Sequence, residues 1–186
     1  IEKALEESDD AELEFGIRRM LLLHGIIITI GGIPLIYLGD EIGTLNDYDY
    51  ERDAAKIGDS RWLHRGKFDW VRAEQRRDQE TVPGRIYTGM LRLIQLRGQN
   101  LAFTRGQTEI LYTGNNHVFG YFRYHDQSIV LVLANFSEHE QRLEARRLRQ
   151  MGLRKTFIDL VAGRAITATQ ELVMEPYQFM VLSQTS

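Results

Sequence analysis

The sequence predicts an α/β segment followed by an all-β segment, and three observations support this fold class. Apolar residues first recur at helical spacing, and a continuous apolar run from Ile33 to Leu38 then follows a Gly-Gly pair. After Asn100, short stretches rich in β-branched and aromatic residues alternate with turns of Gly, Asn and Asp. A helix, a tight turn and an apolar strand are typical of wound α/β folds, whereas short strands with frequent turns indicate an antiparallel sandwich.

The first long helix has both a start signal and an apolar face. Ser8, Asp9 and Asp10 are polar residues of the kind that cap helix N-termini, and acidic residues are favourable in the first turn. The apolar positions then recur every three or four residues, on one face of a helix; they are Leu13, Ile17, Met20, Leu21 and Ile28. The sequence therefore predicts a helix that ends near the Gly31-Gly32 pair.

A strand is predicted directly after this helix, within the sequence GIPLIYLGDEIG of residues 32–43. A continuous apolar run suits a strand that is buried on both faces, as in a parallel sheet. Asp40 and Glu41 follow this run, and α/β folds place functional side chains where such strands end. Two interpretations stay open: one carboxylate organises the rim of a pocket, or the pair holds the following loop together.

The segment from Gly43 to Pro83 is rich in Asp, Arg, Gly and aromatic residues and is predicted to be a long loop. A loop this long in a compact domain is typically functional, and residues 71–77 favour a short helix within it. Tyr48 lies in an acidic and aromatic stretch, where its ring could stack on the flat apolar face of a ligand. A solvated acidic loop is the alternative, and the stretch lacks the Gly and the distant Glu of an EF-hand calcium loop.

The sequence Asp59-Ser60-Arg61-Trp62 gives a second candidate within the same loop. An Arg held by an acidic partner presents a fixed fork of donors, which suits adjacent hydroxyl groups or a carboxylate. Trp62 beside it could form the wall of a pocket. An ion-paired Arg on the surface is the alternative interpretation of the same spacing.

The rest of the chain is predicted to contain one more helix and then a series of strands. The helix covers residues 84–98, where Tyr87, Met90, Leu91 and Ile94 recur at helical spacing. Mixed charges from Arg142 to Arg149 are most simply a solvated face. The strands are predicted from β-branched and aromatic enrichment between turn signals; they are Ile110–Tyr112, Val118–Tyr124, Ile129–Ala134, Thr156–Leu160, Ala165–Ala168, Leu172–Met174 and Gln178–Leu182.

Composition excludes several classes of function. The 186 residues carry a formal net charge of -3, which gives no electrostatic basis for binding nucleic acid or an anionic membrane. The absence of cysteine excludes disulfides and cysteine ligands or nucleophiles. The apolar stretch from Leu21 to Leu38 is interrupted by His24, the Gly-Gly pair and Pro34, so it does not predict a membrane span.

Four segments taken together resemble the C-terminal part of amylosucrases, a branch of glycoside hydrolase family 13 in the α-amylase superfamily. They are GIPLIYLGDEIGTLND, DSRWLHR, NFSE and EPYQFMVL, in this order along nearly the whole chain. The first segment marks the superfamily, whereas DSRW points to the amylosucrase branch. Since the chain also begins at Ile1 and not at Met, we expect it to be the C-terminal portion of a larger enzyme.

The resemblance implies a specific fold and domain division. Residues 1–100 would be the last βα units of a catalytic (β/α)₈ TIM barrel, with its long eighth loop at 43–83. Residues 101–186 would be a C-terminal antiparallel β-sandwich domain. The segment from Gly32 to Gly39 would then be the eighth barrel strand, and the long loop would lie at the barrel face that carries the active site.

The resemblance also implies a reaction, in which a retaining glucosyltransferase moves glucose from sucrose to an α-1,4-glucan and releases fructose. The Asp nucleophile and the Glu general acid of the family precede the eighth strand, so no catalytic residue is expected in this chain and it should be inactive alone. The family residue that carries over is Arg61, which would pair with an upstream Asp and position the glucose. Without this upstream Asp, Arg61 would be an unpaired charge. The other expected substrate-binding residues are Asp40, Glu41, Tyr48 and Trp62.

Two other functions stay open at this stage. The parent protein could instead hydrolyse sucrose or an α-glucoside, or the chain could be a non-catalytic carbohydrate-binding module. The expected partners are sucrose and α-glucan, with no nucleic acid, no membrane, no metal and no organic cofactor, and a cytoplasmic location is favoured. Because an incomplete barrel would expose Leu22, Ile26, Leu35 and Ile36, the isolated chain is expected to self-associate.

Overall fold

The computed structural model describes residues 1–152, 156–167 and 170–184, and the chain divides into two compact units. The first unit comprises Ile1–Ile17 and Ile36–Gly89, and the second comprises Arg18–Leu35 and Met90–Ser186. We refer to them as the N-terminal unit and the C-terminal unit and describe each by itself.

The described residues contain α-helices, short 3₁₀ helices and β-strands, numbered here in chain order. The helices are α1 (Glu2–Glu7), α2 (Asp10–Thr29), α3 (Trp70–Glu74), α4 (Val82–Gln99), α5 (Leu101–Thr104) and α6 (Ala145–Gln150), and the 3₁₀ turns are Asp40–Ile42, Tyr48–Arg52, Ser60–His64 and Gln75–Arg77. The strands are β1 (Gln107–Leu111), β2 (Val118–His125), β3 (Ser128–Asn135), β4 (Gln141–Leu143), β5 (Thr156–Asp159), β6 (Arg164–Thr167), β7 (Leu172–Met174) and β8 (Phe179–Gln184).

The helix predicted after Ser8-Asp9-Asp10 is confirmed. Helix α2 begins at Asp10, and the Asp9 carboxylate accepts a hydrogen bond of 2.9 Å from the backbone N–H of Glu12, as an N-cap should. The helices predicted over 71–77 and 84–98 are also present, as α3 with its following 3₁₀ turn and as α4. Among the described residues, no helix combines the length and the apolar character needed to cross a membrane.

The strand predicted from Gly32 to Gly39 is not formed in the described chain. The structure places no strand there, and the side chains of Ile33 and Leu35 are 97% and 75% exposed. A parallel strand needs neighbouring strands to accept and donate its backbone hydrogen bonds, and the described residues supply none for this segment. The sequence therefore carries an apolar pattern whose partners the described part of the chain does not contain.

Short capped turns dominate the N-terminal unit. The side chains of Asp47, Asp59 and Asp69 each accept a hydrogen bond from a backbone N–H two or three residues later, at the start of a short helix. Such Asx turns form locally and need little core to support them. The buried apolar residues of this unit are few; they include Ala4, Ile17, Ile42, Ala73 and Ile86.

The antiparallel sandwich predicted for the C-terminal half is confirmed. Six strands form one sheet in the order β1-β2-β3-β8-β5-β6, and β4 and β7 form a second sheet of two strands. Every described pairing is antiparallel. The strand predictions agree in position within a few residues, although the predicted end at Ala168 lies outside the described residues.

The large sheet is covered on both faces. One face packs with β4, β7 and α6 around a core that includes Leu131, Leu133, Leu143, Leu148 and Met174. The other face packs with the second half of α2, where Leu22 and Ile28 join Tyr121, Val132 and Phe103. The expectation that Leu22 and Ile26 face water is therefore wrong, since this part of the helix packs against the sandwich sheet. Leu35 is exposed as expected, whereas Ile36 is half-buried.

Strand β4 and helix α6 were not predicted. They lie in the charged stretch from Arg142 to Arg149, where Leu143 and Leu148 are 2% and 1% exposed and form part of the core. The solvated face is real, since Arg142 is exposed and pairs with Glu140 and Glu171, but the two leucines between the charges face inwards. Two inward residues are too few to establish a period, so the pattern gives no strand or helix signal.

A buried arginine links several parts of the C-terminal unit. Arg123 is 2% exposed, and its guanidinium donates to the carbonyl oxygens of Ala102 (3.0 Å), Phe103 (3.1 Å) and Ile30 (3.1 Å) as well as to the hydroxyl of Thr108. These acceptors belong to α5, to the residue after α2 and to β1. The charge of Arg123 is therefore balanced by carbonyl dipoles near helix C-termini, where cations are favourable.

Replacement of Arg123 by Met should destabilise the chain by about 3 kcal/mol, because buried carbonyl groups left without a donor cost about 1–3 kcal/mol each. Arg105→Met is the matched control, since Arg105 is exposed and its side chain has no partner among the described residues; its effect should stay within about 0.5 kcal/mol. Denaturant unfolding of both variants measures the difference. Equal unfolding free energies for the two variants would contradict the role given to Arg123.

Candidate functional site

The predicted site residues all lie in the N-terminal unit, on loops between Tyr37 and Trp62. Asp40 and Glu41 begin the first 3₁₀ turn, between Gly39 (φ 102°) and Gly43 (φ 61°). The Asp40 carboxylate accepts from the backbone N–H of Tyr37 at 3.2 Å, and that of Glu41 accepts from the N–H of Gly39 at 2.7 Å. Both carboxylates therefore stabilise the turn that ends the apolar segment, which is the structural role left open by the sequence.

Tyr48 belongs to a small polar network. Its hydroxyl donates to the Glu2 carboxylate at 3.2 Å, and the Asn46 amide donates to the same carboxylate oxygen at 2.7 Å. The Asn46 side-chain oxygen lies 3.0 Å from His64 Nδ1. The ring of Tyr48 is 55% exposed, so it is held at its hydroxyl end while its face stays open to solvent.

Arg61 and Asp59 form a two-point ion pair. Arg61 Nε lies 2.8 Å from Asp59 Oδ1 and Nη2 lies 2.7 Å from Oδ2, and the backbone N–H of Arg61 also donates to Oδ1 at 3.0 Å. The side-chain and backbone N–H groups of Arg61 hold the pKa of Asp59 at about 2. The expectation that Arg61 is an unpaired charge in this chain is therefore wrong, because Asp59 supplies the partner.

The pairing leaves one edge of the guanidinium available. Nε and Nη2 are used by Asp59, and among the described residues Nη1 has no partner. The Arg61 side chain is 72% exposed. Because two bonds fix the plane of the fork, the remaining N–H donors point in a defined direction towards solvent.

Trp62 follows Arg61 and is half-buried. The Lys56 ammonium lies 5.1 Å from the centre of its ring, within the range of a cation–π contact, and forms an ion pair of 3.2 Å with Asp53. The backbone N–H of Ala55 and the Lys56 ammonium hold the pKa of Asp53 below its ordinary value. One part of the Trp62 ring is therefore already in contact with a cation.

A backbone bond joins the Tyr48 and Arg61 segments. The N–H of Asp47 donates to the carbonyl of Leu63 at 2.8 Å, and the contact between Asn46 and His64 reinforces this link. Tyr48, Arg61 and Trp62 therefore sit on two short helical turns that are tied together. The hydrogen bonds that Asp40 and Glu41 make with the backbone of Tyr37 and Gly39 do not connect these carboxylates with the Tyr48 and Arg61 turns.

Arg72 is a residue that the sequence analysis did not single out. Its Nε donates to the carbonyl of Ile42 at 3.0 Å, directly after Asp40 and Glu41, and its backbone N–H is capped by Asp69 at 2.8 Å. Burial lowers the pKa of Arg72, and its Nη2 atom is buried without a partner among the described residues. The contact with Ile42 spans 30 residues, so no local pattern in the sequence signals it.

No group of three or more potential metal ligands occurs among the residues that the structure describes. In residues 46–50, the acidic and aromatic stretch compared above with a calcium loop, Asn46 bonds to Glu2 and His64. Asp47 accepts from the backbone N–H of Asp49, and Asp49 pairs with Arg52. The arrangement offers donors and aromatic faces for a neutral, hydroxyl-rich ligand.

Comparison with known families identifies the type of the C-terminal domain. Residues 110–183 match the family described as the cyclo-malto-dextrinase C-terminal domain. This range covers the strands from β2 to β7 and most of β8. The sandwich therefore corresponds to a domain named for an enzyme family and not to an isolated sheet.

Two curated relatives are similar over a larger part of the chain. Trehalose synthase of Thermus thermophilus is 28% identical, over 67% of this chain and 15% of that enzyme. Glucosylglycerate phosphorylase of Escherichia coli (strain K12) is 26% identical, over 87% of this chain and 27% of that enzyme. The chain thus spans between 15% and 27% of the length of these relatives.

A solved structure shares the fold. A MutB variant in complex with the substrate sucrose superposes with a TM-score of 0.61 at 17% identity, over 88% of this chain and 38% of that chain. Together, the matches support a C-terminal domain of the kind found in α-amylase family enzymes of glycoside hydrolase family 13. They do not distinguish the amylosucrase branch.

The pKa of Asp59 offers a direct test of the ion pair. Arg61→Ala removes the cation that stabilises the ionised carboxylate. The pKa of Asp59 should therefore rise from about 2 towards its ordinary value near 4. Arg65→Ala is the matched control, since Arg65 exerts the weakest of the attractions on Asp59 and should leave its pKa nearly unchanged. A carboxyl NMR titration measures both; an unchanged pKa in Arg61→Ala would contradict the pairing.

Proposed function

We propose that the chain is the C-terminal part of an amylosucrase-like retaining glucosyltransferase, which moves glucose from sucrose to an α-1,4-glucan and releases fructose. The observation that carries the proposal is the Asp59–Arg61 fork, found in the DSRW sequence that resembles amylosucrases. In this proposal the chain supplies the last βα portion of the barrel and the terminal sandwich. The catalytic acid and nucleophile come from the rest of the parent enzyme.

The proposed role of Arg61 follows from its geometry. Asp59 fixes one edge of the guanidinium, so the Nη1 edge is oriented before any ligand binds. A fixed donor loses little conformational entropy on binding, which favours recognition of a sugar hydroxyl or of the upstream Asp that pairs with this Arg in the resembling family. Arg61 would therefore position the glucosyl unit and perform no proton transfer itself.

The other predicted residues would shape the pocket. Tyr48 and Trp62 lie on turns tied to the Arg61 segment, so their rings would line the same rim and stack on sugar faces. Asp40 and Glu41 would act indirectly, by holding the turn between the apolar segment and the long loop. Arg72, bonded to Ile42 within this turn, would support the same backbone.

The relatives support a substrate that contains glucose, and they give less support to the exact reaction. The two curated relatives are named as a trehalose synthase and a glucosylglycerate phosphorylase, and MutB was captured with sucrose as its substrate. Trehalose, glucosylglycerate and sucrose all contain glucose. Hydrolysis of sucrose or of an α-glucoside by the parent enzyme is the alternative within the same superfamily, and the products distinguish the two.

The test uses the full-length parent protein with sucrose. We expect fructose in clear excess over free glucose, because transferred glucose stays bound in glucan. Arg61→Ala should lower kcat/KM about 10- to 100-fold, because one charge-assisted hydrogen bond to the sugar is lost, and Arg65→Ala should leave it unchanged.

Three results would count against parts of this proposal. Equal amounts of glucose and fructose would favour hydrolysis. Sucrose turnover by the isolated 186-residue chain would contradict the location of the acid and nucleophile in the rest of the parent. Equal losses of kcat/KM in Arg61→Ala and Arg65→Ala would contradict the role of Arg61 in the pocket.

The exposed apolar segment supports the placement next to the rest of a barrel. Ile33, Leu35 and Leu38 are 97%, 75% and 69% exposed, and contiguous apolar exposure on this scale indicates a surface that is covered in the complete protein. The isolated chain should therefore self-associate through this segment. Light scattering should show particles larger than a monomer, and Ile33→Lys with Leu35→Lys should reduce them; a monodisperse wild-type monomer would contradict the idea.

A further inference from the structure

A second candidate binding surface lies in the C-terminal unit, at one end of the large sheet. Strands β1 and β3 both run antiparallel to β2, which lies between them. The C-terminal ends of β1 and β3 therefore lie at the same end of the sheet, on either side of the start of β2. Tyr112 follows β1 and Phe136 follows β3. The two backbone positions are therefore about two strand spacings, roughly 9.5 Å, apart across the start of β2.

A cavity of about 300 Å³ opens at this end of the sheet, and Tyr112 and Phe136 both line it. This volume is at the lower end of the range for small-molecule sites. Tyr112 is 71% exposed and Phe136 is 47% exposed, so both rings present apolar faces to solvent beside the cavity. We refer to this site as the end-of-sheet cavity.

The rings are held in place without being covered. The Arg147 guanidinium lies 5.4 Å from the centre of the Tyr112 ring and also donates to the Tyr112 carbonyl. The backbone N–H of Phe136 donates to the carbonyl of His117 at 2.8 Å. Each aromatic residue thus has a fixed backbone, and most of the Tyr112 ring stays open to a ligand.

The polar groups of the cavity are uncharged apart from one histidine. Its lining contains no Asp, Glu, Lys or Arg, and among the described residues the side chains of Asn116 and His117 and the hydroxyl of Tyr112 have no hydrogen-bond partner. Thr113 and Asn115, by contrast, use their side chains to hold the turn. Free donors and acceptors on a rigid turn beside exposed rings suit a neutral ligand with many hydroxyl groups and flat apolar faces.

We infer that the end-of-sheet cavity binds a neutral oligosaccharide, with Tyr112 and Phe136 as stacking rings and Asn116 and His117 as hydrogen-bonding groups. The absence of charged lining residues disfavours phosphorylated or acidic ligands, whose burial needs a cation. The choice of an α-1,4-glucan as the oligosaccharide rests on the proposed function. A site of this kind would retain a long glucan on the enzyme through contacts distinct from Arg61.

The test measures binding, so it is independent of sucrose turnover. The 186-residue chain is immobilised at low density, which avoids self-association, and maltoheptaose is the probe. We expect Tyr112→Ala and Phe136→Ala each to weaken binding at least tenfold, while Tyr112→Phe retains it. Trp70→Ala is the matched control, because Trp70 is 73% exposed in the N-terminal unit, and it should bind like wild type.

Several outcomes separate this inference from the proposed function. Loss of maltoheptaose binding in Phe136→Ala together with normal binding in Arg61→Ala supports the cavity, whatever the parent does with sucrose. Unchanged binding in both Tyr112→Ala and Phe136→Ala, or no binding by the wild-type chain, would overturn it. Equal affinity for cellohexaose would overturn the assignment to α-glucans, and a thermal melt of each variant shows that its fold is intact.

Discussion

The buried guanidinium of Arg123 is the constraint on which the C-terminal unit depends. A charge that is 2% exposed would be prohibitive without partners, yet no carboxylate accompanies it among its described bonds. Carbonyl groups from the ends of α2 and α5 take that role, because the exposed carbonyls at helix C-termini carry partial negative charge. One side chain thus donates to acceptors from three separate elements, and the Thr108 hydroxyl also donates to the Ile30 carbonyl.

The same arrangement explains why the residue at position 31, after α2, is a glycine. A Cβ at Gly31 would lie 3.0 Å from Arg123 Nη1, and its φ of +127° disfavours other residues. Arg97 reinforces the turn, with bonds of 2.5 Å to the carbonyl of Ile28 and 2.8 Å to that of Gly32. The helix end, the turn and the first strands therefore form one polar cluster beneath an otherwise apolar sheet face.

Local signals in the sequence predicted most of the elements, and contacts distant in sequence account for the failures. The Asp9 cap and the β-branched and aromatic enrichment of β2 and β3 act within a few residues, so the sequence was sufficient for them. The segment from Ile33 to Leu38 has the apolar pattern of a strand but forms none in this chain, because a parallel strand exists only beside its neighbours. Strand β4 and helix α6 were missed within the charged stretch from Arg142 to Arg149, because two inward leucines do not establish a period.

The candidate site likewise contains local contacts that the sequence signals and distant contacts that it does not. The pairing of Arg61 with Asp59 follows from a separation of two residues, whereas the bond from Arg72 to Ile42 and the network of Tyr48 with Glu2 connect distant positions. An experimental structure of the full-length protein with glucose bound tests the central claim most directly. We expect Arg61 Nη1 within about 3.2 Å of a glucose hydroxyl and residues 33–38 paired in a parallel sheet. A bound sugar with Arg61 left in solvent, or an apolar segment still exposed, would contradict it.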